Sequence, residues 1–208
     1  MGLTGGIGSG KSIALAYLRE LGAAVISSDD LVHGLYSRRE IVTAVRKRYG
    51  DTVLHGGEVD RPALARIVFA DSDELQWLER QLHPHVHAAL EGWMAGQVRH
   101  RPRPVLVVAE VPLLFETGIE GIFDYVVLIT APADTRRRRL TAKLTDGEFS
   151  RRLAQQMPED DKAARSDFVF DNTGTRKELR EFVGETVAAI LAAAREQAAG
   201  GGAGERAR

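Results

Sequence analysis

One segment near the start of the chain has the residue types and spacing of a phosphate-binding loop. Residues 5–12 have the sequence GGIGSGKS and match the pattern G-x-x-x-x-G-K-[ST]. Its glycines let the backbone turn around an anion, so that N–H groups and the next helix's N-terminus face it. We expect Lys11 to reach the β and γ phosphates of ATP and the Ser12 hydroxyl to bind Mg²⁺. The residues expected to bind the nucleotide here are Gly6, Ile7, Gly8, Ser9, Gly10, Lys11, Ser12 and Ile13.

The loop alone does not distinguish a motor, a switch or a kinase. A regulatory GTPase would need the guanine-reading pattern N-K-x-D, which the sequence lacks. The D-x-x-G match at residues 171–174 lies far beyond the loop, so we do not interpret it as a switch. A motor and a kinase remain open at this point.

Acidic residues follow two strand candidates. Asp29 and Asp30 come after the run 24–27, and open parallel sheets bind ligands at the carboxyl ends of their strands. A carboxylate there would orient an alcohol and accept its proton, although an Asp pair at a strand end also commonly caps a helix. Glu110, after the run 105–109, is a candidate to hold Mg²⁺ through water, or is simply a polar strand terminus.

Short apolar runs rich in Val and Ile are typical of parallel strands covered on both faces. They occur at residues 24–27, 105–109, 125–130 and 168–170. Strand and helix candidates alternate, which predicts an α/β fold with a P-loop NTPase-type doubly wound parallel sheet of about five strands. The first strand, at residues 1–4, lacks the apolar residues that normally precede such a strand.

We assign the nucleotide-binding core to residues 1–29, 104–135 and 166–191. Three further segments lie outside this core. Residues 30–103 are predicted to be helical and are too long for a crossover, so we expect an acceptor-binding insertion. Residues 136–165 are rich in arginine and are predicted to form a helical lid. Residues 192–208 contain little apolar bulk, so we expect a disordered tail.

Composition excludes several classes of protein. The chain has 208 residues, a formal net charge of −1 and no cysteine, which excludes disulfides and thiolate metal sites. No apolar run approaches the about 20 residues that cross a bilayer. We expect a cytoplasmic monomer without nucleic-acid or membrane partners. The consecutive arginines at 136–139 leave local anion binding open.

Several motifs together resemble those of the dephospho-coenzyme A kinases, in the same order and with similar spacing. They are the loop from Leu3 to Ser12, VISSDD at 25–30, LHP at 82–84, VPLLFE at 111–116, QMP at 156–158 and SDFVFDNTG at 166–174. The resemblance spans residues 1 to about 191. It implies transfer of the ATP γ-phosphoryl group to the ribose 3′-hydroxyl of dephospho-coenzyme A, the last step of coenzyme A synthesis.

The resemblance also implies roles for individual residues. It places the catalytic aspartate at Asp29 and the charge-neutralising arginines of the lid at Arg136 and Arg139. Residues implied to line the acceptor site are His83, Pro112, Leu113, Leu114 and Glu116, and those implied to contact ATP are Arg152 and Asn172. Two departures stand out, because Ser27 replaces the first acid of the family's Asp-x-Asp and Lys143 lies in a shortened lid where arginine is common.

Two alternatives remain open at this stage. Another P-loop kinase would act on a nucleoside monophosphate or a shikimate-like alcohol, although the long insertion favours a bulky acceptor. A nucleotide-gated nucleic-acid or protein binder would use the arginines at 136–139, and the near-neutral net charge disfavours it.

Overall fold

The apolar runs and the segment at residues 2–4 form a five-stranded parallel sheet. The computed structural model describes residues 1–142 and 144–201. The strands are β1 (Gly2–Thr4), β2 (Ala24–Ser27), β5 (Val107–Glu110), β6 (Val126–Thr130) and β7 (Phe168–Asp171). Their order across the sheet is β2-β5-β1-β6-β7. Strand β1 pairs in parallel with both β5 and β6, so the short first strand lies at the centre of the sheet. The predicted sheet of about five strands is confirmed.

The chain divides into two compact units. The first contains residues 1–25 and the chain from Arg101 onward, and the second contains residues 26–100. Helices of the first unit are α1 (Lys11–Glu20), α6 (Ala133–Leu140), α7 (Asp146–Ala154), α8 (Glu159–Ala164) and α9 (Arg176–Gly201). Helices α1 and α9 pack against each other, and their apolar faces share a buried core with the strands. This core holds β1 in place, and with it the glycine loop that follows.

The second unit is mainly helical, with a core of its own. Its helices are α2 (Ser28–Leu35), α3 (Arg39–Tyr49), α4 (Arg61–Val68) and α5 (Ser72–Val98). A short hairpin of β3 (Leu54–His55) and β4 (Glu58–Val59) interrupts the helices, which the sequence analysis did not predict. Its turn residues Gly56 and Gly57 have φ values of 60° and 88°, and two consecutive positive φ angles are typical of tight hairpins.

The C-terminal region differs from the expectation of a tail that is disordered from residue 192. Helix α9 continues to Gly201, because its alanines have high helix propensity even without apolar bulk. The predictions for residues 202–208 and for Lys143 concern positions outside the described residues. Among the helices described, none is both long and apolar enough to span a bilayer.

Candidate active site

The glycine loop connects β1 to α1 and takes conformations that only glycine adopts easily. Gly5 and Gly10 have φ values of 145° and 112°. A Cβ atom on Gly10 would also overlap the side-chain amide of Asn172, and one on Gly5 would overlap the Ile129 carbonyl. The loop therefore needs glycine at these positions both for its backbone angles and for its close packing.

Lys11, in the first turn of α1, is buried and turned back onto the loop. Its Nζ donates hydrogen bonds to the carbonyls of Gly5 over 2.9 Å and Gly6 over 3.2 Å. Nζ also lies 3.8 Å from Oε1 of Glu110, the last residue of β5. Glu110, the sequence candidate for a water-mediated Mg²⁺ contact, is thus an ion-pair partner of the loop lysine. The parallel register that sets Leu3 opposite Glu110 brings the two together.

Asn172 supports the loop from within the fold. Its side-chain amide donates to the Ser9 carbonyl over 2.6 Å, and its backbone N–H donates to the Thr130 carbonyl over 2.8 Å. Asn172 is buried, and the structure shows it holding the loop. Arg139 also contacts the loop. Its guanidinium donates to the Ser9 carbonyl over 3.3 Å and to the Asn172 carbonyl over 2.7 Å.

Arg136 lies against the loop and is only 3% exposed. Its Nε donates to the Ala131 carbonyl over 2.8 Å, and its Nη1 lies 3.7 Å from Oε1 of Glu159. A Cβ atom on Gly6 would overlap this Nη1, so the guanidinium touches the loop backbone. Within residues 1–142 and 144–201, Nη1 has no hydrogen-bond acceptor. A buried cation with an open donor therefore faces the loop.

The segment after β5 is anchored by an ion pair that the sequence analysis missed. Pro112 and Leu113 are half-buried, and Leu114 is fully buried. Glu116 Oε1 lies 2.9 Å from Nζ of Lys162 and accepts the Met157 N–H over 2.7 Å. The carboxylate of Glu116 therefore has partners within the protein, the Lys162 ammonium and the Met157 N–H. No residue pattern marked Lys162, which follows three acidic residues and resembles part of a solvated helix.

Two further predicted residues, Ser12 and Arg152, are exposed. Ser12 lies in the first turn of α1, next to the buried Lys11, and Arg152 lies on α7. The N-terminus of α7 is closed by a capping box, in which the Thr145 N–H bonds the Glu148 carboxylate and lowers its pKa. In the described chain, no group of three or more His, Asp or Glu side chains is placed to bind a metal. Any Mg²⁺ here would depend on phosphates and water for most of its ligands.

In the second unit, Asp29 lies in the first turn of α2 and is exposed. The alternative that it caps this helix is wrong, because Ser27 occupies the capping position and makes no side-chain capping bond. His83 is exposed on α5, directly before Pro84. His87, one turn further along, lies 3.4 Å from the Glu91 carboxylate.

The sheet order and the loop ending in Gly10, Lys11 and Ser12 define a P-loop kinase fold. The shikimate kinase from Acinetobacter baumannii shares this fold, with a TM-score of 0.51 over 92% of each chain at 13% identity. A family model described as dephospho-CoA kinase matches residues 1–178. The chain belongs to the dephospho-CoA kinase family, which confirms the resemblance found in its motifs.

Individual relatives agree with this membership. The dephospho-CoA kinase of Symbiobacterium thermophilum is 40% identical over 99% of this chain and 83% of its own length. A crystal structure from Thermus thermophilus has 38% identity and a TM-score of 0.77, covering 91% of this chain and 96% of that one. A dephospho-CoA kinase from Campylobacter jejuni has 25% identity and a TM-score of 0.68, covering 92% and 96%.

Proposed function

We propose that this chain transfers the γ-phosphoryl group of ATP to the ribose 3′-hydroxyl of dephospho-coenzyme A, giving coenzyme A and ADP. The observation that carries the proposal is the buried Lys11 ammonium turned onto the glycine loop, in a chain that matches the dephospho-CoA kinase family over residues 1–178. The proposal includes a cytoplasmic, monomeric enzyme without nucleic-acid or membrane partners, and the near-neutral net charge of −1 supports the absence of a nucleic-acid partner.

On the donor side, residues 6–13 bind the triphosphate through backbone N–H groups and the N-terminus of α1. Lys11 exchanges its contacts with the Gly5 and Gly6 carbonyls for the β and γ phosphate oxygens. The open Nη1 of Arg136 supports a role in neutralising charge on the transferring group. Arg139 and Asn172 act by holding the loop, and Asn172 also borders the adenine, while Arg152 reaches the nucleotide from α7.

The residues present fit a bound Mg²⁺ ion held by Ser12, phosphate oxygens and water. The Ser12 hydroxyl is exposed one residue after Lys11, and magnesium commonly keeps several waters beside few protein ligands. When bound, the ion would neutralise negative charge on the β and γ phosphates. Lys11 and Arg136 supply further positive charge in the same place.

On the acceptor side, Asp29 orients the 3′-hydroxyl and accepts its proton as the oxygen attacks the γ-phosphorus. The bond between that phosphorus and the bridging oxygen breaks, and the bridging oxygen leaves with ADP. Support for Asp29 comes from the family match and from its exposed carboxylate at the start of α2. His83 and the segment from Pro112 to Leu114 line the acceptor site, and Glu116 keeps that segment in place.

The test is an assay of ADP formation that depends on dephospho-coenzyme A. Asp29→Asn should lower kcat by about 10²- to 10⁴-fold, because it removes the proton acceptor. Lys11→Ala should abolish turnover. Asp30→Asn is the matched control, because Asp30 is an equally exposed neighbour in the same turn, and it should keep wild-type activity.

Circular dichroism should show that each variant keeps its fold. ATP turnover that dephospho-coenzyme A fails to stimulate in the wild-type protein would refute the proposal. A parallel panel of nucleoside monophosphates and shikimate tests the alternative acceptor classes with the same readout.

A further inference from the structure

The connector between α7 and α8, residues 155–158, contacts two separate stretches of the first unit. The Ile7 N–H of the glycine loop donates to Oε1 of Gln156 over 3.3 Å. The adjacent Met157 N–H donates to Oε1 of Glu116, in the segment after β5, over 2.7 Å. Two neighbouring residues of this connector therefore accept from the glycine loop and donate to the segment after β5, which is the segment proposed to line the acceptor site.

Buried charges anchor this connector. Lys162 in α8 is fully buried with its Nζ 2.9 Å from Oε1 of Glu116, and Glu159 of the same helix lies 3.7 Å from Nη1 of Arg136. A charge at the depth of Lys162 is stable only when it is paired, so the pair with Glu116 strongly constrains where α8 can lie. The position of Gln156 is thus determined by contacts in the protein interior.

The Ile7 N–H that donates to Gln156 lies between two glycines of the loop. Ile7 stands between Gly6 and Gly8, and Gly8 has a φ of 79°. Peptides next to glycine reorient easily, because glycine has access to both signs of φ. A loop binds phosphate well when its N–H groups already point at one position before the phosphate arrives. Such a loop loses little conformational entropy on binding. By accepting a hydrogen bond from the Ile7 N–H, Oε1 of Gln156 restrains the orientation of this peptide in the glycine loop.

We propose that Gln156 is a positioning residue for the donor nucleotide: it fixes the orientation of the Ile7 peptide and so keeps the glycine loop in its phosphate-binding shape. The proposal rests on the nucleotide-binding half of the proposed function and assigns a role to the QMP motif, which the reaction chemistry leaves unused. Gln156 acts through the loop and does not itself take part in phosphoryl transfer.

The experiment measures the affinity of the full-length protein for a fluorescent ATP analogue in the absence of any acceptor. Gln156→Ala and Gln156→Met both remove the hydrogen-bond acceptor, and Met keeps most of the side-chain length. Both variants should bind the analogue about 3- to 10-fold more weakly, as expected for one lost hydrogen bond. In turnover assays, KM for ATP should rise by the same factor while KM for dephospho-coenzyme A stays unchanged.

Gln155→Ala is the matched control, because Gln155 is the exposed neighbour of the half-buried Gln156, and it should bind the analogue like the wild type. Gln156 variants that bind the analogue as tightly as the wild type, or more tightly, would overturn the proposal. So would a lowered melting temperature with equal losses for both substrates, which indicates a structural role only. If wild-type protein binds the analogue but does not phosphorylate dephospho-coenzyme A, the proposed acceptor fails while this test of Gln156 still applies.

Discussion

Removing one partner of the buried pair between Lys162 and Glu116 should destabilise the first unit strongly. Lys162 has 0% and Glu116 17% side-chain exposure, with 2.9 Å between Nζ and Oε1. Breaking a buried ion pair from one side typically costs about 3 to 5 kcal/mol, because the remaining charge is left without compensation. Glu116 keeps some solvent contact and its bond from the Met157 N–H, so we expect Lys162→Met to cost about 3 kcal/mol.

The double variant Lys162→Met with Glu116→Gln distinguishes the energy of the ion pair from the energies of the other contacts that each side chain makes. It removes both charges, while the Gln carbonyl can still accept the Met157 N–H. We expect it to be more stable than Lys162→Met alone, since paired buried charges replaced together are often nearly neutral. The coupling energy between the two sites should then be about 2 kcal/mol.

Urea unfolding followed by circular dichroism measures these differences. With a denaturant slope of about 2 kcal/mol per molar, a loss of about 3 kcal/mol lowers the midpoint by about 1.5 M. Lys177→Met is the matched control, because the pair of Lys177 and Glu181 is 83% and 56% exposed and should contribute less than about 0.5 kcal/mol. If the Lys162→Met midpoint falls within the range of this control, or if the effects of the two substitutions are strictly additive, the pair does not contribute the expected stability.

Two further predictions concern the loop and the second unit. Gly10→Ala should lower the free energy of unfolding by about 2 to 4 kcal/mol in thermal unfolding and abolish ATP binding, because φ is 112° and a Cβ atom would overlap Asn172. Gly184→Ala is the control. Gly184 lies on α9 with open space around it, so this substitution should stabilise the protein by about 0.5 to 1 kcal/mol. In α5, hydrogen bonds from Arg48 and Tyr49 lower the pKa of Glu74 from 4.5 to about 2. Because this folded-state pKa is depressed, the stability it contributes is present above pH 4.5 and is lost as pH falls toward about 2. The difference in melting temperature between wild type and Glu74→Gln should therefore shrink over that pH range, and a difference that grows on acidification would contradict the assignment.

The sequence alone determined the features that depend on neighbouring residues. The glycine loop was identifiable because its backbone angles and its Lys11 and Ser12 are specified within eight residues, 5–12. The sheet was predictable because strands buried on both faces need continuous apolar runs. The order of the motifs along the chain was sufficient to indicate the family, which the family match confirms.

Local patterns also led to errors where two tendencies competed. The C-terminal residues from 192 to 201 lack apolar bulk, yet their alanines continue α9. The hairpin around Gly56 and Gly57 went unpredicted because its strands are two residues each, too short to show an alternating pattern.

Which side chains become partners depends on how the elements pack in three dimensions. Asn172 reaches the Ser9 carbonyl from 163 residues away, and Glu116 meets the Met157 N–H from 41 residues away. The sequence around Lys162 resembles a solvated helix, but α8 packs against β6, and Lys162 is a buried partner of Glu116. Such pairings depend on how distant segments pack, since burial makes an unpaired charge or amide costly and so selects the partner that the fold brings within reach.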